Sequence, residues 1–151
     1  MSKRPGFNLV EISVVIAILG ILMMIGIPSA RFFIPNIELT TTAREVTSQL
    51  RFAAQQSVTE QVKYLIKFNT VLGQYSLYRL PDPLDPEVEE FIETKELPSS
   101  ISFNSISGLT ENEVSFNSAG APSESGQIEL KNTNNSSKTI NIRPSGYVKI
   151  E

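Results

Sequence analysis

Residues 7–30, FNLVEISVVIAILGILMMIGIPSA, are apolar except for Asn8, Glu11, Ser13 and Ser29, and no other feature constrains this chain as much. At about 1.5 Å per residue the run makes a helix about 36 Å long, enough to cross a bilayer core of about 30 Å. Lys3 and Arg4 precede it, whereas Arg31 is the one basic residue shortly after it. That asymmetry puts the N-terminus on the cytoplasmic side of a membrane and the rest of the chain on the other side. A secretory signal peptide shares the basic start, but this run exceeds the usual apolar length, carries a carboxylate near its beginning and has no A-x-A site after it.

The chain has 151 residues, room for one modest domain beside such an anchor. Its formal net charge is −3, and loss of a leader carrying Lys3 and Arg4 makes the balance more acidic. A general nucleic-acid surface is not indicated. With no cysteine there are no disulfides, thiol nucleophiles or cysteine-zinc sites. With no histidine, a Ser-His-Asp triad or a histidine metal site cannot be built, and no G-x-S-x-G elbow occurs. No catalytic residue, metal ligand or cofactor is assigned.

Over residues 36–61 the pattern becomes that of an amphipathic helix, with Leu39, Ala43, Val46, Leu50, Ala53, Ala54 and Val58 at three- and four-residue steps. Thr41, Arg44, Gln49, Gln56 and Glu60 fall on its polar side. Joined to the apolar run it predicts one helix of roughly 80 Å. Pro28 and Pro35 remove amides from it, which predicts kinks or local melting there. Residues 62–69 and 74–80 read as a β-hairpin, and PDPLDPEVEE at 81–90 as an exposed acidic loop. Further strands are expected at 91–97, 101–103, 113–116, 126–130, 139–143 and 147–150. Val114 with Phe116, Ile128 with Leu130, Ile140 with Ile142, and Val148 with Ile150 alternate as pairs lining a buried sheet face.

The segment GFNLVEISVVIAILGILMMIGIP resembles the prepilin-type cleavage and methylation motif of type IV pilins and type II secretion pseudopilins. The resemblance implies cleavage by a prepilin peptidase between Gly6 and Phe7, N-methylation of Phe7, and family-matching residues at Glu11, Gly20 and Pro28. More weakly, ELPSSISF, VSFNSAGAPSESGQIEL and TINIRPSGYVKI resemble the GspH/FimT minor pseudopilins and pilins. One branch of that family binds DNA through a Gly-Arg-x-Arg motif. Here the stretch reads Gly146, Tyr147, Val148, Lys149, without either arginine, and Lys131, Lys138, Arg143 and Lys149 make only a mildly basic tail.

Glu11 also stands out on physical grounds. A carboxylate within an apolar span is costly and calls for a cationic partner. The ammonium of a neighbouring subunit's Phe7 would neutralise it inside a filament and select axial register. The plainer alternative is a carboxylate snorkelling to the interface; for Gly20 and Pro28 it is ordinary packing and kinking of a membrane helix. Asp82, Asp85, Glu87, Glu89 and Glu90 are weighed as a calcium loop, but three prolines and the lack of EF-hand spacing favour a solvated loop.

The expected fold is α+β and pilin-like: a long N-terminal helix, its first half transmembrane and its second amphipathic, packed on antiparallel sheet, in one sheet or two. Residues 1–6 form the leader, 7–30 the transmembrane half, 31–61 the amphipathic half and 62–151 the β-rich part. The implied role is a minor pseudopilin or pilin subunit, with other subunits, the peptidase, an inner-membrane assembly platform and lipid as partners. A DNA-uptake pilin and a single-pass membrane protein that never polymerises remain as alternatives.

Overall fold

A computed structural model describes residues 8–81 and 88–151, with 25–32 described by backbone alone. The leader, the Gly6/Phe7 junction, and Asp82, Asp85 and Glu87 of the acidic loop lie outside the described residues. Helix α1 spans Leu9–Glu60. Two units divide the chain, Met1–Ile34 and Pro35–Glu151, and each is described by itself.

In the first unit Asn8 opens the helix: its side-chain oxygen accepts from the Val10 amide at 3.3 Å, and its carbonyl accepts from Glu11 at 3.0 Å. A short polar side chain at this position satisfies amides that the first turn leaves orphaned. Helical backbone continues through Pro28 and Pro35, so the local melting expected there does not occur. Each proline deletes one amide, and the neighbouring bonds carry the helix past it.

In the second unit Leu39, Ala43, Val46, Leu50 and Ala53 of α1 are buried as the periodicity predicts. The stripe ends differently, because Ser57 is fully buried while Val58 is 44% exposed. Gln61, at φ 57, turns the chain out of the helix and donates from Nε2 to the Val58 carbonyl at 2.6 Å. The hairpin follows as β1 (Lys63–Asn69) and β2 (Gln74–Leu80). Then come β3 (Glu90–Glu96), β4 (Ile101–Ser107), a 3-10 turn at Thr110–Asn112, and β5 (Glu113–Phe116). The chain closes with β6 (Gly126–Asn132), β7 (Ser137–Ile142) and β8 (Val148–Ile150).

The strands form two antiparallel four-stranded sheets, ordered β3-β2-β1-β5 and β4-β6-β7-β8. One hydrophobic cluster joins the α1 stripe to both sheets, taking Ile66 and Phe68 from β1, Val114 and Phe116 from β5, and Ile128, Leu130, Ile140 and Val148 from the other sheet. Phe68 meets Phe103 edge-on at 5.8 Å between ring centroids, linking the sheets directly. Strand β4 runs four residues past its expected end, through a bulge between Phe103 and Ser105. A bulge adds a residue without ending the ladder, which period-two reading cannot anticipate.

Candidate assembly site

From Leu9 to Met24 the helix carries apolar side chains all round and is uncovered: Leu9, Val10, Ile18, Val15 and Ile12, which follow one another around its circumference, are all exposed. A helix with no polar face has to be covered by lipid or by protein to be stable in place. Among the described residues no helix is long and apolar enough to cross a membrane. Glu11 sits in the first turn, exposed, its carboxylate without a partner among the described residues, where the positive end of the helix dipole favours an anion. Ser13 returns its hydroxyl to the Leu9 carbonyl at 2.9 Å, leaving Glu11 as the one outward-reaching charge in this stretch. Gly20 has nothing within 4 Å of where a Cβ would stand, so the helix presents bare backbone there. Pro28 lies where only backbone is described.

In the second unit polar bonds hold α1 to both sheets. Asn132 donates to Asn36 at 2.7 Å, the Ser100 hydroxyl bonds Glu38, and Arg51 donates to the Val148 carbonyl of β8 at 2.6 Å. Gln49, expected on the polar side, is buried: its amide donates to Glu93 at 2.5 Å and its carbonyl accepts from Lys95 at 3.2 Å. Near the helix end Arg79 bridges Glu60 at 2.7 Å and Glu90 at 3.0 Å. Helical spacing did not signal any of these, since each partner comes from outside the helix.

Among the described residues the acidic and basic side chains do not gather into sites. Glu89 accepts twice from Lys67, at 2.7 and 2.8 Å, and this bond holds the Lys67 ammonium above its ordinary value; Glu90 is taken by Arg79. In the tail, Lys149 pairs with Glu151 at 3.0 Å and Arg143 lies over the Tyr147 ring at 5.9 Å. Lys138 shares the strand face of Ile140 and Ile142, whereas Lys131 alternates out of phase with Ile128 and Leu130 on β6. The tail is a scatter of cations rather than a patch.

An uncovered apolar helical segment with one carboxylate at its head, attached to a helix-and-two-sheet domain, defines a pilin-like chain. A family model, type II transport protein GspH, matches residues 42–146, and the chain belongs to that family. Its fold is similar to the minor pseudopilin EpsH of the Vibrio cholerae type 2 secretion system, with TM-score 0.64 at 7% identity over 76% of this chain and 96% of that one. It is also similar to the type IV minor pilin FimU of Pseudomonas aeruginosa, with TM-score 0.61 at 11% identity over 77% and 90% of the two chains. Two fimbrial proteins of Pseudomonas aeruginosa are 37% identical over 60 residues, 40% of this chain; the match spans 38% of their length.

Proposed function

We propose that the chain is stored in the inner membrane by its N-terminal helix, with the domain outside, and is built as a minor subunit into a type II secretion pseudopilus or a type IV pilus. The observation that carries this reading is the uncovered helix headed by Glu11. A prepilin peptidase cuts between Gly6 and Phe7 and methylates the Phe7 amine. The assembly platform then draws the helix from lipid into the bundle of neighbouring subunits. There the cationic Phe7 amine of one subunit pairs with Glu11 of another, in surroundings dry enough for the pairing to set register. Gly20 lets helix backbones approach, and Pro28 relieves a hydrogen bond where the helix bends to pack. This role in assembly involves no catalysis and no DNA.

Intact mass of protein from native membranes is expected to begin at Phe7 with one added methyl. Glu11→Gln keeps size and hydrogen bonding but deletes the charge, and is expected to preserve insertion and leader cleavage. Incorporation into sheared filaments should fall about tenfold or more, the loss that corresponds to about 1.4 kcal/mol of pairing. Glu11→Val should insert at least as well, because an intramembrane carboxylate is itself costly. Normal incorporation of both variants would rule out the pairing.

A further inference from the structure

Strands β1 and β2 turn Ile66, Phe68, Tyr75 and Leu77 to the core, and alternation sends Lys67, Gln74, Ser76 and Tyr78 to the opposite face. On that outer face Asn112 of the 3-10 turn joins them around a cavity of about 360 Å³, a size usual for a small-molecule site. Its lining is polar rather than apolar. The Gln74 and Asn112 amides, each a donor and an acceptor, are half-buried and hydrogen-bond nothing among the described residues. Lys67 brings no free charge, because its ammonium is held by Glu89 at 2.7 Å and lies 3.9 Å from Glu113 and 5.2 Å from the centre of the Tyr78 ring. One strand over, the Phe91 ring stands edge-on to Tyr78 at 5.8 Å and is 61% exposed.

We infer that this cavity binds an N-acetylated glycan, and that the glycan strand of the cell wall is the one it meets. The choice of the wall rests on the filament reading, in which the domain lies outside the inner membrane. The lining selects the chemistry. An anion would have to displace Glu89 from Lys67 and would then face Glu113, whereas an apolar ligand would leave the Gln74 and Asn112 amides desolvated without partners. A sugar meets neither cost: its hydroxyls bond the polar rim, and an acetamido group offers the paired donor and acceptor that a side-chain amide matches. Phe91 lies about 4.8 Å further across the sheet, so its exposed ring takes the C–H face of the next sugar in a chain. A linear glycan therefore fits better than a single sugar.

The full-length chain, held in a detergent without a sugar headgroup, is titrated with tri-N-acetylchitotriose and separately pelleted with purified peptidoglycan sacculi. Both are expected to bind. Cellotriose, the same kind of chain without acetamido groups, should bind about tenfold more weakly or worse, because it leaves the two amides unpaired. Gln74→Ala and Phe91→Ala should each weaken the acetylated trimer about tenfold. Both side chains stand outside the core cluster, so circular dichroism and thermal melting should stay as in the wild type. Gln127→Ala, on the other sheet, should change nothing. Failure to bind trimer and sacculi, or equal losses in all three variants, overturns the site. Equal binding of cellotriose overturns the recognition of acetamido groups, and trimer binding without retention on sacculi overturns the wall as the source. The filament reading is scored separately, by the wild-type chain in sheared filaments: presence there without glycan binding overturns the site alone, and glycan binding without presence there overturns the filament reading alone.

Discussion

Gly146 and Gly73 both adopt positive φ, 77 and 64, in turns between paired strands. Their surroundings set them apart. A Cβ on Gly146 would stand 2.5 Å from the Gly120 carbonyl oxygen, which is backbone and cannot swing aside, whereas one on Gly73 would meet nothing within 4 Å. Gly146→Ala is therefore expected to cost about 3 kcal/mol or more, combining left-handed strain with a forced shift of two loops. Gly73→Ala should cost about 1 kcal/mol, strain alone. Urea midpoints of the two variants check the difference, and equal losses would mean that the loop at Gly120 yields. The result bears on sequence motifs too. Gly146 begins the stretch compared with a DNA-binding motif, yet its place in the fold is explained by how the β7–β8 turn packs on the loop after β5.

Helix α1 has two different kinds of surface, and its period alone does not say where each one ends. Through Ala53 the buried apolar positions step by four and three residues; the next step falls on Ser57, whose hydroxyl returns to the Ala54 carbonyl at 2.8 Å. Val58 instead flanks the loop at Gly120, where a Cβ on that glycine would be 3.0 Å away. Leu50→Ala should accordingly destabilise the domain by about 2–5 kcal/mol, the range for a fully buried leucine. Val58→Ala should cost less than about 1 kcal/mol. Denaturant melts of both variants test the order. Gln49 makes the same point with a polar residue: the exposed edge strand β3 lies over it and supplies Glu93 and Lys95 as partners. Burial with full hydrogen bonding lets a glutamine sit where spacing reads a solvent face.

As a whole, the Pro35–Glu151 unit carries its own core cluster, and it is expected to be soluble and to unfold cooperatively when produced without the N-terminal helix. Circular dichroism and thermal melting check this. Its stability should fall at alkaline pH. Burial, and then the charges of Glu45 and Glu93, push the Tyr75 hydroxyl up from 10.0 to about 12. The folded state holds that proton more tightly than the unfolded chain, so the contribution is complete below pH 10 and is lost as pH rises towards 12. At roughly 1.4 kcal/mol per unit this is on the order of 3 kcal/mol at most. Lys67, raised by Glu89, weakens the fold in the same direction, so the comparison with Tyr75→Phe isolates the tyrosine: that variant should show a flatter decline over the window.

What the sequence by itself determined was everything with a short period. The apolar run, the α1 stripe from Leu39 to Ala53, the β1–β2 hairpin and the alternating pairs of β5, β6 and β7 all depend on neighbours within a few residues, and all are legible in the order of side chains. The tertiary structure decided what depends on distant partners: the split into two sheets, the burial of Gln49, and the bonds from Arg51 to Val148 and from Asn132 to Asn36, across 97 and 96 residues. It also decided that residues of β1, β2 and the 3-10 turn meet around one cavity on the outer face of their sheet. Local order carries period and polarity, but a hydrogen bond or a cavity between remote segments exists only once chain folding has brought them together.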